Sequence, residues 1–300
     1  MNQSYFEADY ERVVNDAADT RFLPGTSVEV VHELADRAPP RHVLFDFDGT
    51  LSLVREGWPE VMVPMMVDVL RDTHTDESIE SIRKLVYGYV MQLNGKQTIY
   101  QMIRLAEEVS KRGVEPKEPL EYKQMYHNRL MDRIADRREA LESGKCSTAE
   151  MMVPFAVEML EELCRRGVEL YLASGTDEHY VIEETRLLGL DRFFGSNVYG
   201  APDDYKTFSK AMVIDRILSE NKLEGDTLLG FGDGYVEIQN VKSVGGTAVA
   251  VASDESGRSG KPDLWKRDRL IGVGADLVVP DYRDWKALSD YIWNDSKEGC

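Results

Sequence analysis

The 300-residue chain is 42% hydrophobic and 30% charged, and its 54 acidic residues against 36 Lys and Arg give a formal charge of −18. That length buries a substantial core in one large or two ordinary domains. The charge argues against nucleic acid and anionic membranes as partners, since both would be repelled, and a small phosphate ester needs a site carrying its own cation. Cys146, Cys164 and Cys300 lack metal-ligand spacing and suit a reducing cytoplasm; Cys164, among apolar helical positions, reads as a buried thiol. The first residues lack the basic-then-apolar layout of a signal peptide. The most apolar stretch, residues 61–70, is interrupted by Pro64 and Asp68 and is too short to span a bilayer. A cytoplasmic location is expected.

Residues 1–40 read as an extension of one or two helices, ending at the breaker Pro39-Pro40. A first apolar run, HVLFDF, occupies residues 42–47, and others follow at 168–174, 227–231, 247–252 and 276–280. Each is nearly continuous, as a parallel strand covered on both faces requires. Helical periods at 151–166, 178–188 and 209–221 alternate with them. Strand–helix alternation predicts an α/β fold with a doubly wound parallel sheet. About a hundred residues between the first and second strands break the rhythm. They contain helical segments at 59–72, 77–93, 97–111 and 120–141, separated by turn material. The expected organisation is an α/β core from 41–56 and 146–300, with an all-helical insertion at 57–145.

Four places carry chemistry. Asp46-Phe47-Asp48-Gly49-Thr50-Leu51 ends the first strand, where ligand sites of open α/β sheets lie. Two carboxylates at i and i+2 repel each other, and a divalent cation is the usual remedy. Ser174 ends the second strand, and Gly175-Thr176 is expected to open a helix whose free amides bind an anion. Lys210 begins a helix and can hold a phosphoryl group; Lys206, four residues upstream, competes for that role. Finally, Gly232-Asp233-Gly234 follows the strand at 227–231, with Glu237 one turn into the next helix. Hard oxygens gathered this way suit Mg²⁺. The spacing is not that of a dinucleotide-binding fingerprint.

These four motifs, in this order, resemble those of the haloacid dehalogenase-like superfamily over about residues 42–280. The resemblance implies a Rossmann-like core with a C1-type helical cap. It implies Asp46 as nucleophile, Asp48 as general acid and base, and Ser174, Gly175 and Lys210 as phosphate ligands. Mg²⁺ would be held by Asp46, the Asp48 main-chain carbonyl and Asp233, with Glu237 supporting from behind. Lys210 is preferred to Lys206 because 23 residues separate it from Asp233, close to the spacing in phosphoserine-phosphatase-like members. Superfamily members often carry a second Asp in the fourth motif where this chain has Glu237. Arg55, Trp58 and Lys96 are candidates for contacting the substrate, a sugar phosphate or similar small metabolite. The expected activity is phosphomonoester hydrolysis through an aspartyl-phosphate. A phosphomutase using the same aspartates and a non-catalytic binding protein on this fold are the alternatives.

Overall fold

The computed structural model describes residues 9–14, 20–34, 37–202, 207–222 and 224–294. The N-terminal helices expected over 1–40 do not occur among the described residues. Instead β1 (Arg21–Phe22) and β2 (Glu29–Val30) form a hairpin. The reason is local: Pro24-Gly25-Thr26-Ser27 is turn chemistry, closed by Leu23 N–H to Val28 O at 2.9 Å. Leu23, Val28 and Val30 are all buried, so the hairpin packs on the core.

After β3 (His42–Phe45) the chain enters four helices, α1 (Pro59–Arg71), α2 (Ile79–Gln92), α3 (Thr98–Lys111) and α4 (Pro119–Glu142). Their starts follow from sequence. Pro59 and Pro119 sit in first turns, where no amide partner is lost. Ser78 caps α2 by accepting from Ser81 N–H, and Glu118 with Glu121 forms a capping box. The helices pack on one another through buried residues such as Met66, Val86, Leu105 and Leu130. The chain segments leading into and out of the block run side by side, with Leu53 N–H bonded to Met151 O and Val153 N–H to Leu51 O.

The chain then alternates through α5 (Ala156–Arg165), β4 (Glu169–Asp177), α6 (Glu178–Leu187), α7 (Asp191–Phe194), β5 (Val198–Ala201) and α8 (Lys210–Asn221). It ends with β6 (Leu228–Gly232), α9 (Tyr235–Ser243), β7 (Thr247–Val251), α10 (Leu264–Gly272), β8 (Leu277–Val279) and α11 (Trp285–Ile292). The helix expected at 151–166 starts only at Ala156, after Pro154. Cys164 is exposed rather than buried. It lies beyond the stripe of Ala156, Met159, Leu160 and Leu163 by which α5 meets the core.

The eight strands are ordered β1-β2-β8-β7-β6-β3-β4-β5; β3 to β8 are parallel, and the hairpin is added antiparallel at the β8 edge. Residues alternate between the two faces, as the pleat demands. Val43, Phe45, Leu229, Phe231 and Val249 enter one cluster, and Leu44, Leu228, Ala248 and Ala250 the other. This is the α/β doubly wound fold with a helical insertion. The chain leaves β3 toward β4 and β5, and leaves β6 toward β7 and β8. The crevice between the ends of β3 and β6 is therefore the switch point at which such sheets bind ligands.

Candidate active site

Asp46 stands one residue beyond β3 and is 7% exposed. Its amide donates to Phe231 O at 2.9 Å, which ties it to β6. Its carboxylate Oδ1 accepts from Lys210 Nζ at 2.9 Å. Lys210, the first residue of α8, is 2% exposed and also pairs closely with buried Glu237. Ser209 fixes that helix start by accepting from Met212 N–H. Lys206 lies outside the described residues, as does Cys300. Burial pushes the Asp46 carboxyl up, Lys210 pulls it down, and Asp233 pushes it up again.

Asp48 faces the same pocket from the other side. Thr176 Oγ1 donates to its Oδ2 at 2.9 Å, while Oδ1 has no hydrogen-bond partner among the described residues. Burial raises the Asp48 carboxyl to about 7, against the pull of Arg55 and with help from Glu184. A carboxyl with that value exchanges a proton near neutral pH. Gly49, at φ +76°, makes the turn between the aspartates and the following loop. A Cβ there would lie 2.3 Å from Asp233 Oδ2, so this packing admits only glycine. Thr50 Oγ1 accepts from Asp233 N–H at 3.0 Å and joins the first and fourth motifs.

Ser174 is buried and lines the pocket with Gly175. The helix expected at Gly175-Thr176 begins later, because β4 continues to Asp177 and α6 starts at Glu178. Ser174 Oγ accepts from Thr176 N–H at 3.1 Å. Asp233 Oδ2 accepts from Lys266 Nζ at 2.8 Å, and the same ammonium donates to Glu255 at 2.6 Å.

Among the described residues no three His, Cys, Asp or Glu side chains cluster as a metal cage. The donors present still fit a small hard cation. Asp46 and Asp233 directly follow the adjacent strands β3 and β6, and Asp233 adds to the cost of ionising buried Asp46. Mg²⁺ takes few carboxylates and accepts main-chain oxygen.

The helical block covers this pocket. Gly95, at φ +99°, lies so close to Gly234 that a Cβ would stand 3.1 Å from the Gly234 Cα. Trp58 and Lys96 line the pocket, with the Lys96 ammonium bonded to Asp9 at 2.6 Å. Arg55 lines it too, but its Nε and Nη2 hold fully buried Glu184 at 2.8–3.2 Å. The sequence marks none of Lys266, Glu255 and Glu184, and it marks Thr176 only as part of an expected helix start, not as a partner of Asp48. Thr176 lies two residues past Ser174, at the end of the same strand. Lys266 reaches the site from α10, and no local pattern marks it.

At the seam between α4 and the core, His127 Nδ1 lies 3.3 Å from Asp177 Oδ2, and Lys123 pairs closely with the same carboxylate. Burial lowers the His127 imidazole to about 4, with Asp177 opposing. The unfolded chain, near 6.5, then binds more protons than the folded one between those values. This contribution is complete above pH 6.5 and is lost as pH falls toward 4, amounting to about 3 kcal/mol. His127→Gln should flatten the acid limb of urea-unfolding stability by about that amount. An unchanged slope would contradict it.

The sequence profile for haloacid dehalogenase-like hydrolases matches residues 40–245. The chain belongs to the haloacid dehalogenase-like hydrolase family. Solved structures share this fold at low identity. A family IA, variant 3 haloacid dehalogenase-like hydrolase from Entamoeba histolytica aligns with TM-score 0.55 and 18% identity, covering 84% of this chain and 99% of that one. A β-phosphoglucomutase from Clostridium difficile gives 0.54 and 13%, over 86% and 99% of the two chains. A predicted phosphoglycolate phosphatase from Haemophilus somnus gives 0.52 and 18%, over 83% and 98%. A comparison with curated proteins finds no match. No helix among the described residues is long and apolar enough to cross a membrane.

Proposed function

We propose that this haloacid dehalogenase-like protein is a Mg²⁺-dependent phosphatase of small phosphorylated metabolites, acting in the cytoplasm through an aspartyl-phosphate on Asp46. One observation carries the reading: a lysine-held aspartate and a second carboxyl poised near neutral pH face one pocket under a helical cover. Asp46 attacks phosphorus, and the bond to the ester oxygen breaks. Asp48, protonated at that moment, gives its proton to the leaving alkoxide. Its carboxylate then takes a proton from a water that attacks the aspartyl-phosphate, which releases inorganic phosphate and regenerates Asp46. Lys210 and Ser174, with the Gly175 amide, hold the phosphoryl oxygens through transfer.

Asp46, Asp233 and the Asp48 main-chain carbonyl would hold the cation, with Glu237 steadying Lys210 behind them. When bound, Mg²⁺ neutralises charge on the phosphoryl group and on the two aspartates. The helices α1 to α4 act as the cap of residues 57–145, excluding bulk water and favouring small esters over phosphoproteins. Thr176 keeps Asp48 turned toward the leaving group.

Phosphate release from a panel of small monoesters tests the reading. Release is expected with Mg²⁺ and is expected to stop with EDTA and return on adding Mg²⁺. Undiminished release in EDTA would overturn the metal assignment, and no release from any ester would overturn the hydrolase reading.

A further inference from the structure

The pocket over Asp46 and Asp48 has an inner, charged end and an outer end beneath the helical block. The outer wall is Trp58, Met62, Asn94, Thr98, Gln101 and Tyr126, all uncharged. Among the described residues three cations line the pocket, and Lys210 belongs to the inner end. The other two, Arg55 and Lys96, already have dedicated counter-ions. Arg55 is bound to Glu184, and both side chains are buried. The Lys96 ammonium, 4% exposed, is bound to the exposed carboxylate of Asp9. The other charged lining groups outside the aspartate motifs are Glu56 and Glu255, both acidic, and Glu255 is bound to Lys266.

Resting on the phosphatase reading, we infer that the site selects a neutral, polyhydroxylic leaving group: a monophosphate of a sugar or polyol with no second phosphate or carboxylate. Among the described residues, a second anion at the outer end would meet only cations that already hold a counter-ion. It would have to share Arg55 with Glu184 or Lys96 with Asp9, in each case beside a carboxylate that already neutralises the cation, or lie near Glu56. A hydroxyl-bearing group meets the opposite situation. Tyr126 is buried and lines the pocket, and its hydroxyl makes no hydrogen bond among the described residues. Gln101 donates its amide to Val90 O and so turns one function inward, while its carbonyl stays available to a hydroxyl. Asn94 and Thr98 add neutral donors and acceptors on the same wall. Neutral polar groups of this kind bind hydroxyls by direction rather than by charge.

The test compares esters matched in size, a neutral polyol or hexose monophosphate against the corresponding bisphosphate or phospho-carboxylate, with Mg²⁺ present. Hydrolysis by the wild-type protein gives kcat/KM, and calorimetric binding to Asp46→Asn gives affinity without turnover. The neutral ester is expected to be preferred by about tenfold or more in both. Asp9→Asn uncaps Lys96 on the exposed side and should narrow that preference by about tenfold, through KM for the anionic ester. Equal or better use of the anionic ester by the wild-type protein would overturn the inference. So would an unchanged preference in Asp9→Asn with an unaltered Tm. Failure of the phosphatase reading registers separately, as no hydrolysis of any ester, and the binding comparison still decides the charge selection in that case.

Discussion

Asp46→Asn is expected to lower kcat by roughly 10⁴-fold or more while leaving the fold and substrate binding in place. The amide is isosteric with the carboxylate but cannot form the acyl phosphate. Its main-chain bond to Phe231 O does not depend on the side chain. Lys210 keeps Glu237 as partner, so little stability should be lost. The check is kcat on the best ester beside Tm. A variant that turns over at the wild-type rate would rule out Asp46 as the nucleophile.

Lys210→Met should lower both activity and stability, for separable reasons. Removing the cation leaves the carboxylates of Asp46 and Glu237 buried with no partner at the lysine's position. Breaking a buried pair from one side typically costs about 3–5 kcal/mol, because the uncompensated charge remains. Loss of a donor to the transferring phosphoryl group should add roughly 10²–10³-fold in kcat. The double variant Lys210→Met with Glu237→Gln separates the two effects. It should recover most of the lost Tm, since one stranded charge is gone, yet stay as slow as the single variant. Recovery of rate along with stability would mean that Lys210 acts only on the fold.

The central strands were legible because each is buried on both faces. His42–Phe45 and Leu228–Gly232 read as apolar runs in any register. The four inserted helices were legible from one buried face repeating at the helical period, with caps and prolines marking three of their starts. The short elements were not. Arg21–Phe22 and Glu29–Val30 have two residues each and no period to read; they exist because a turn and the free edge of β8 hold them. Val198–Ala201 was missed likewise, a four-residue strand containing Gly200.

In the site, residues at strand ends could be found because position and chemistry coincide there, as at Asp46 and Asp233. Residues that act from a distance could not. Glu184 lies midway along α6 and reads as one surface carboxylate among several until Arg55 is brought against it. Lys266 looks equally ordinary in sequence, and only the fold sets it between Asp233 and Glu255. The N-terminal segment reads in sequence only as a helical extension, yet Asp9 from it caps a pocket lysine.

The most direct test of the account is rapid acid quenching of the wild-type protein during turnover of its best ester, followed by peptide mass analysis. One phosphoryl group is expected on the peptide carrying Asp46, formed at least as fast as phosphate is released and absent from Asp46→Asn. Phosphate release at full rate, with no phosphoryl group trapped on that peptide at any time, would contradict it.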